Sequence, residues 1–199
     1  MNYLGHAYLA RKYPELIAGN FAGDSYKGKL SKFDHLPKYI VDGVRLHRFI
    51  DNFTDHSPHL VQASKLLNQE GIQRITFIAL DILVDHYLAK NWKDYHETPY
   101  PDFIHWIYSQ TDPHLDYIDD EFDMLYYRIK KYGWMLDYAE EDGIQKILRQ
   151  FSKRIPFENN LTLAFEAYKK HEQTFSNHFK NFLIEIEDAS DEFILSLQQ

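Results

Sequence analysis

Apolar residues recur along this chain at three- and four-residue spacing, and strict alternation is scarce, so the pattern predicts helices. Residues 2–12 read as a short helix stopped before Pro14, residues 14–27 as a second closing near Gly28, and residues 37–54 as a third. Ser57-Pro58 resembles a cap followed by proline at the first helical position, which starts a helix running through 68. Residues 72–92 carry the strongest buried pattern, through Ile72, Ile75, Ile78, Ala79, Ile82, Leu83 and Leu88. Further helices are predicted over 100–110, 115–132 and 134–153. A last long one over 159–186 sets Phe165, Tyr168, Phe175, Phe179, Phe182 and Ile186 on one face. Asp42-Gly43 and Asp142-Gly143 precede helical patterns rather than joining alternating runs, so neither marks a hairpin. There is no internal repeat or long linker, and 97–101 is a proline-punctuated loop. The expectation is one all-α domain over 1–199, a helical bundle.

Composition narrows the class. A chain of 199 residues with 44% hydrophobic residues can bury a substantial core, and 15 tyrosines and 14 phenylalanines predict aromatic packing between helices. The absence of cysteine excludes disulfides, thiolate metal sites and thiol nucleophiles, and fits a reducing cytoplasm. The first residues lack the basic and apolar regions of a signal peptide, and no apolar run approaches membrane-spanning length. A net charge of −8 argues against a dedicated nucleic-acid binder. The charge is uneven, because residues 1–50 hold eight lysines and arginines against four acids. That excess is either scatter on a solvated surface or a face that steers an anionic partner.

The candidate chemistry sits on the helices. His47, Asp51 and Asp55 follow one another at i, i+4 and share one stripe. Such spacing suits two ligands on one metal, or equally a surface His–Asp pair, and Asp55 can equally be a cap near Ser57. Asp81, Asp85 and His86 interrupt the apolar 72–92 segment. Asp85 falls about 40° beyond Asp81 around the helix, and His86 about 100° further. Carboxylates on an apolar helix are costly unless paired or metal-bound. Asp24 follows Gly19-Asn20, where glycine allows close approach. His6 lies among apolar residues, and Arg45 and Arg48 flank His47, where they can meet phosphate oxygens. No Gly-rich nucleotide loop or serine elbow is present. His, Asp and Asn without Cys suit Mn²⁺, Mg²⁺ or Fe²⁺, and such an ion suits water attack on a phosphoester.

Four segments together resemble the acyl carrier protein phosphodiesterases: Asn2-Tyr-Leu-Gly-His-Ala-Tyr-Leu-Ala10, Gly19-Asn-Phe-Ala-Gly-Asp24, Gly43-Val-Arg-Leu-His-Arg-Phe-Ile-Asp-Asn-Phe-Thr-Asp55 and Asp81-Ile-Leu-Val-Asp-His-Tyr-Leu-Ala89. The likeness continues more loosely through Trp134 and Gly143-Ile144. It implies an all-α fold related to HD-type metal-dependent phosphohydrolases. It implies hydrolysis of the phosphodiester between 4′-phosphopantetheine and a serine of holo-acyl carrier protein, with Mn²⁺ the expected metal. Under that resemblance Asp24, His47, Asp51, Asp85 and His86 supply metal ligands. His6 or a spare acid serves as general acid or base. Asn20, Arg45 and Arg48 meet the phosphate, Asp55 and Asp81 hold the imidazoles, and Lys27 belongs to the face that captures the acidic carrier. The chain departs from the family pattern at Gly5 and Gly23, where alanine is expected, and at Ser25-Tyr26. The order Asp85-His86 also reverses the adjacent pair of HD enzymes. Two other functions stay open: a phosphohydrolase of small phosphoesters such as nucleotides, and a non-catalytic helical binding protein.

Overall fold

The computed structural model describes residues 1–118 and 120–198. Those residues form eleven α-helices joined by short 3₁₀ turns, and no strand occurs among them. The helices are α1 (Tyr3–Leu9), α2 (Ile17–Phe21), α3 (Lys38–His56), α4 (Pro58–Gln69), α5 (Thr76–Lys90), α6 (Tyr100–Thr111), α7 (Asp120–Lys131), α8 (Trp134–Asp137), α9 (Glu141–Arg154), α10 (Ala164–Lys170) and α11 (Glu172–Leu197). The expected all-α class is observed. No helix among the described residues is long and apolar enough to cross a membrane.

The central element is α5. Ala79, Leu80, Ile82, Leu83, Val84 and Leu88 are buried around most of its circumference, against α1, α4, α9, α10 and α11. An isolated helix of this length would be marginal in water, and here burial supplies the stability. Aromatic rings fill the seams: Phe175, Phe179 and Tyr168 pack together, and Phe49 stacks on Phe193 at 4.4 Å.

Two glycines set the placement of α2 on α3. A Cβ on Gly19 would lie 2.2 Å from the Ile40 carbonyl oxygen. One on Gly43 would lie 2.5 Å from the Leu16 oxygen and 2.8 Å from the Asn20 nitrogen. Only glycine at both positions allows the backbones this near each other.

Several predicted helices are interrupted. The 14–27 segment is a 3₁₀ turn over Pro14–Leu16, the short α2, and a second 3₁₀ turn over Gly23–Ser25. The 134–153 segment divides into α8 and α9, where a Cβ on Gly143 would strike the Asp137 oxygen at 2.1 Å. The last segment breaks between α10 and α11 at His171, which no glycine or proline announces. The α5 helix begins four residues later than expected, after Arg74 adopts a left-handed φ of 64°. The 115–132 segment is a 3₁₀ turn over Asp112–Tyr117 followed by α7, and Asp119 between them lies outside the described residues.

Candidate functional site

Three helical segments deliver one cluster. α1 supplies His6, α2 and its following turn supply Asn20 and Asp24, and α3 supplies His47 and Asp51. His6 Nε2 lies 3.2 Å from Asp51 Oδ1, and His47 Nε2 lies 3.1 Å from Asp51 Oδ2. His47 Nε2 is also 3.4 Å from Asp24 Oδ1. The two imidazoles stack, with centroids 4.2 Å apart. Both histidines are buried, whereas the Asp51 side chain is 44% exposed and that of Asp24 82%, so the cluster opens to solvent on its carboxylate side.

The hydrogen-bond network assigns both tautomers. Asn20 is fully buried and its amide nitrogen donates to the His6 carbonyl at 2.7 Å. Its Oδ1 therefore faces His6 Nδ1 at 3.1 Å, which makes Nδ1 the protonated ring atom. The Asn20 carbonyl, an acceptor only, faces His47 Nδ1 at 2.8 Å and demands a proton there too. Both Nε2 atoms then turn lone pairs toward the Asp51 carboxylate. Lone pairs facing a carboxylate at these distances require a proton or a cation between them.

Electrostatics divide the pair. Burial alone would lower the His47 pKa, but the Asp24 and Asp51 carboxylates outweigh it and raise it to about 9. Burial and then the neighbouring His47 charge lower His6 to about 4. Asp51 is held well below the usual carboxylate range, because the bonds and charges of His47 and His6 overcome its burial. The hydrogen bond from His47 also lowers Asp24, against its burial. One proton on His47 therefore answers one contact and leaves the His6–Asp51 contact bare.

A divalent ion fits this donor set. His6, His47 and Asp51 place one ligand atom each within 4.8 Å of one another, the sole such trio among the described residues. Imidazole nitrogen and carboxylate oxygen ligands sit at about 2.0–2.3 Å from such ions, so little movement is needed. Each imidazole already donates its other N–H to a carbonyl, the arrangement that fixes a ligand ring. Gly23 adds to the fit, since a Cβ there would meet His47 Cγ at 2.1 Å.

A groove of about 550 Å³ is lined by Asp24 and Asp51 together with Tyr3, Asp55, Asp81, Ile78, Phe151 and Arg154. Clefts of this size hold small organic groups.

The family model described as acyl carrier protein phosphodiesterase matches residues 1–186. The chain belongs to the acyl carrier protein phosphodiesterase family, whose members are enzymes. Relatives carrying that name include proteins of Photorhabdus laumondii (32% identical, covering 92% of this chain and 91% of the relative) and Pectobacterium atrosepticum (33%, covering 92% and 93%). One from Yersinia pestis is 31% identical with the same coverage as the latter. No solved structure matches the chain.

Within this family member the expected site residues separate into three groups. His47, Asp51 and Asp24 meet, and His6 joins them through Asp51. Asn20 does not reach a phosphate, because it is fully buried as the clamp on His6. Asp85 and His86 do not join the cluster. The Asp85 carboxylate accepts three backbone N–H groups at the start of α1, from Asn2 (3.2 Å), Leu4 (2.9 Å) and Gly5 (3.2 Å). His86 Nδ1 donates to the Tyr138 carbonyl at 2.7 Å, and its ring meets Phe165 and Tyr168 edge-on.

Asp81 pairs with the Met1 amino group at 2.7 Å instead of holding an imidazole, and Asp55 lines the groove without touching one. Arg45 lies 3.5 Å from Asp42, and Arg48 donates to the Tyr26 carbonyl at 2.5 Å. Arg11, Lys12 and Lys38 are also paired with acids, so with Arg45 four of the eight basic residues of the first quarter are already neutralised by ion pairs. Lys27, Lys29 and Lys32 are exposed, with no acid at ion-pair distance among the described residues. The sequence reading missed Tyr3 and Arg154. Tyr3 was within the first family segment, while nothing local to α9 marks Arg154.

Proposed function

We propose that this chain is a metal-dependent phosphodiesterase that removes 4′-phosphopantetheine from holo-acyl carrier protein, giving apo-carrier protein and free 4′-phosphopantetheine. The observation that carries the metal dependence is the convergence of His6 Nε2, His47 Nε2 and the Asp51 carboxylate, in which a proton on His47 still leaves the His6–Asp51 contact without one. Family membership supports the substrate. His6, His47 and Asp51 would hold the ion, with Asp24 at the rim within reach of it. Mn²⁺ is the ion the family resemblance implies; two imidazoles and a carboxylate also suit Fe²⁺, and Mg²⁺, which prefers oxygen ligands, is the weaker alternative. When bound, the ion supplies Lewis acidity toward a phosphoryl oxygen and acidifies water.

The chain's own residues do the rest. Asn20 holds both imidazoles in the tautomer that leaves Nε2 free. Asp24, exposed and only hydrogen-bonded to His47, accepts the proton from the attacking water as general base. The unpaired Lys27, Lys29 and Lys32 follow Asp24 in sequence and favour approach of an acidic partner. The absence of cysteine suits a cytoplasmic setting.

The test is incubation with holo-acyl carrier protein and Mn²⁺, followed by intact-mass measurement of the carrier. Loss of the prosthetic-group mass, blocked by EDTA, is expected. An unchanged carrier with turnover of a small phosphodiester would favour the small-phosphoester reading, which the groove volume also admits. No turnover of either would leave the binding-protein reading.

A further inference from the structure

The groove that leaves the cluster is lined unevenly. Near the cluster it is acidic, through Asp24, Asp51, Asp55 and Asp81. A phosphodiester carries negative charge, and that side repels it unless a cation intervenes. Two other lining groups have the opposite character. Arg154, at the C-terminal end of α9, has no acid at ion-pair distance among the described residues. Its guanidinium is held instead over aromatic rings, 5.0 Å from the Trp134 centroid and 5.4 Å from that of Phe151. Stacking of this kind fixes the plane of a fork that matches phosphate oxygens.

Tyr3 lines the same groove, and no hydrogen bond of its hydroxyl is found among the described residues. Burial, and then the Asp24 charge, push its phenol up to about 12, while Arg154 pulls the other way. Tyr3 therefore lies within electrostatic reach of both Asp24 and Arg154, and it stays a neutral donor at working pH. The lining also holds apolar side chains, Phe151, Ile155 and the 37%-exposed Ile78.

Resting on the function proposed above, we infer that Arg154 and Tyr3 receive the phosphate of 4′-phosphopantetheine in the groove that Asp24 and Asp51 also line. The apolar strip of Ile78, Phe151 and Ile155 takes the pantetheine arm. The cluster and the Arg154–Tyr3 pair then divide the work: the first holds the cation and the second the anion. The carrier protein stays outside, and only its prosthetic arm enters.

Calorimetric titration of the Mn²⁺-loaded full chain with 4′-phosphopantetheine and with pantetheine, which lacks the phosphate, tests this independently of turnover. Arg154→Ala should weaken 4′-phosphopantetheine by about ten- to hundredfold, as loss of a charged hydrogen bond does, and change pantetheine by less than about twofold. Tyr3→Phe should show the same selectivity with a smaller loss. Ile78→Ala, which removes apolar area without adding charge, should weaken both ligands alike. Circular dichroism and melting check folding, and Arg154→Lys, which keeps charge but loses the fork, should fall between wild type and alanine.

Equal affinity of Arg154→Ala and wild type for 4′-phosphopantetheine overturns the inference, as does an equal loss for both ligands. So does a wild-type chain that cleaves holo-carrier protein yet does not bind 4′-phosphopantetheine. A chain that binds 4′-phosphopantetheine through Arg154 but leaves the carrier intact keeps the inference and overturns the proposed reaction. A chain that neither binds nor cleaves overturns both.

Discussion

Asn20→Ala separates the two imidazoles of the cluster. The substitution removes the side-chain amide that accepts from His6 Nδ1 at 3.1 Å and donates to the His6 carbonyl at 2.7 Å. It leaves the Asn20 carbonyl, and so the 2.8 Å hydrogen bond from His47 Nδ1, in place. The His6 carbonyl still accepts from the Ala10 nitrogen at 3.3 Å, so the group left without a partner is the buried Nδ1–H. An orphaned buried donor costs about 1–3 kcal/mol, and the metal-free variant should lose that much stability. Losing the partner that orients a ligand imidazole typically weakens metal binding by about 10–100-fold. At an Mn²⁺ concentration near 100 times the wild-type dissociation constant, the ion adds about 2.7 kcal/mol to wild-type stability. A site 100-fold weaker would gain only about 0.4 kcal/mol under the same conditions. The assay is a pair of denaturant titrations for each protein, one with EDTA and one with Mn²⁺, read by circular dichroism. Asn20→Asp, which keeps an acceptor opposite Nδ1, should recover part of the Mn²⁺ gain. A full wild-type gain in Asn20→Ala would show that His6 is not a ligand and would refute the tautomer reasoning.

Gly23→Ala should lower Mn²⁺ affinity with little effect on helix content, because the new Cβ would displace a His47 ring that now lies 2.1 Å from its position; calorimetric titration with Mn²⁺ checks it. Asp51→Ala and Asp85→Ala should differ in kind. The first abolishes hydrolysis and the Mn²⁺ gain while the chain stays folded. The second strands three backbone amides, two of them buried at about 1–3 kcal/mol each, and should melt early while leaving the cluster's residues untouched. Normal stability in Asp85→Ala would contradict the capping role.

The two histidines should contribute most to the stability of the EDTA-treated chain near pH 6.5, the ordinary histidine value, while Asp85, raised to about 7, pulls the other way below pH 7. His6, lowered to about 4, makes the unfolded chain bind the extra proton, so its contribution rises with pH between about 4 and 6.5. His47, raised to about 9, gives stability that is complete below 6.5 and lost as pH climbs through 9. A pH series of denaturant midpoints measures both arms, and a flat profile above pH 6.5 counts against the coupled pair. Lys27→Glu should reduce kcat/KM for holo-carrier protein at low salt and spare a small diester, since Lys27 is exposed and does not line the groove.

The sequence determined whatever a single helix fixes. A helix turns about 100° per residue, so His47 and Asp51 had to share a stripe once the third helix formed, and they meet at 3.1 Å. The helical period likewise settled the all-α class and the burial of α5. That same helix shows where local pattern stops. Asp85 and His86 are both buried on α5 but lie about 100° apart around it, so the two side chains leave in different directions. A helix apolar on nearly every side gives no clue to which direction holds a partner. Packing decided that Asp85 meets the amides at the start of α1 and that His86 meets Tyr138.

Packing also decided the membership of the cluster. His6 is 41 residues from His47, and it reaches Asp51 because Gly19 and Gly43 let α2 settle onto α3 with Asn20 hydrogen-bonded to both rings. Arg154 faces the groove only because α9 ends beside it. Spacing within a helix is set by covalent geometry and backbone hydrogen bonds, which the sequence carries locally. Spacing between helices is set by which side chains, or which missing ones, permit close contact, and that is a property of the assembled fold.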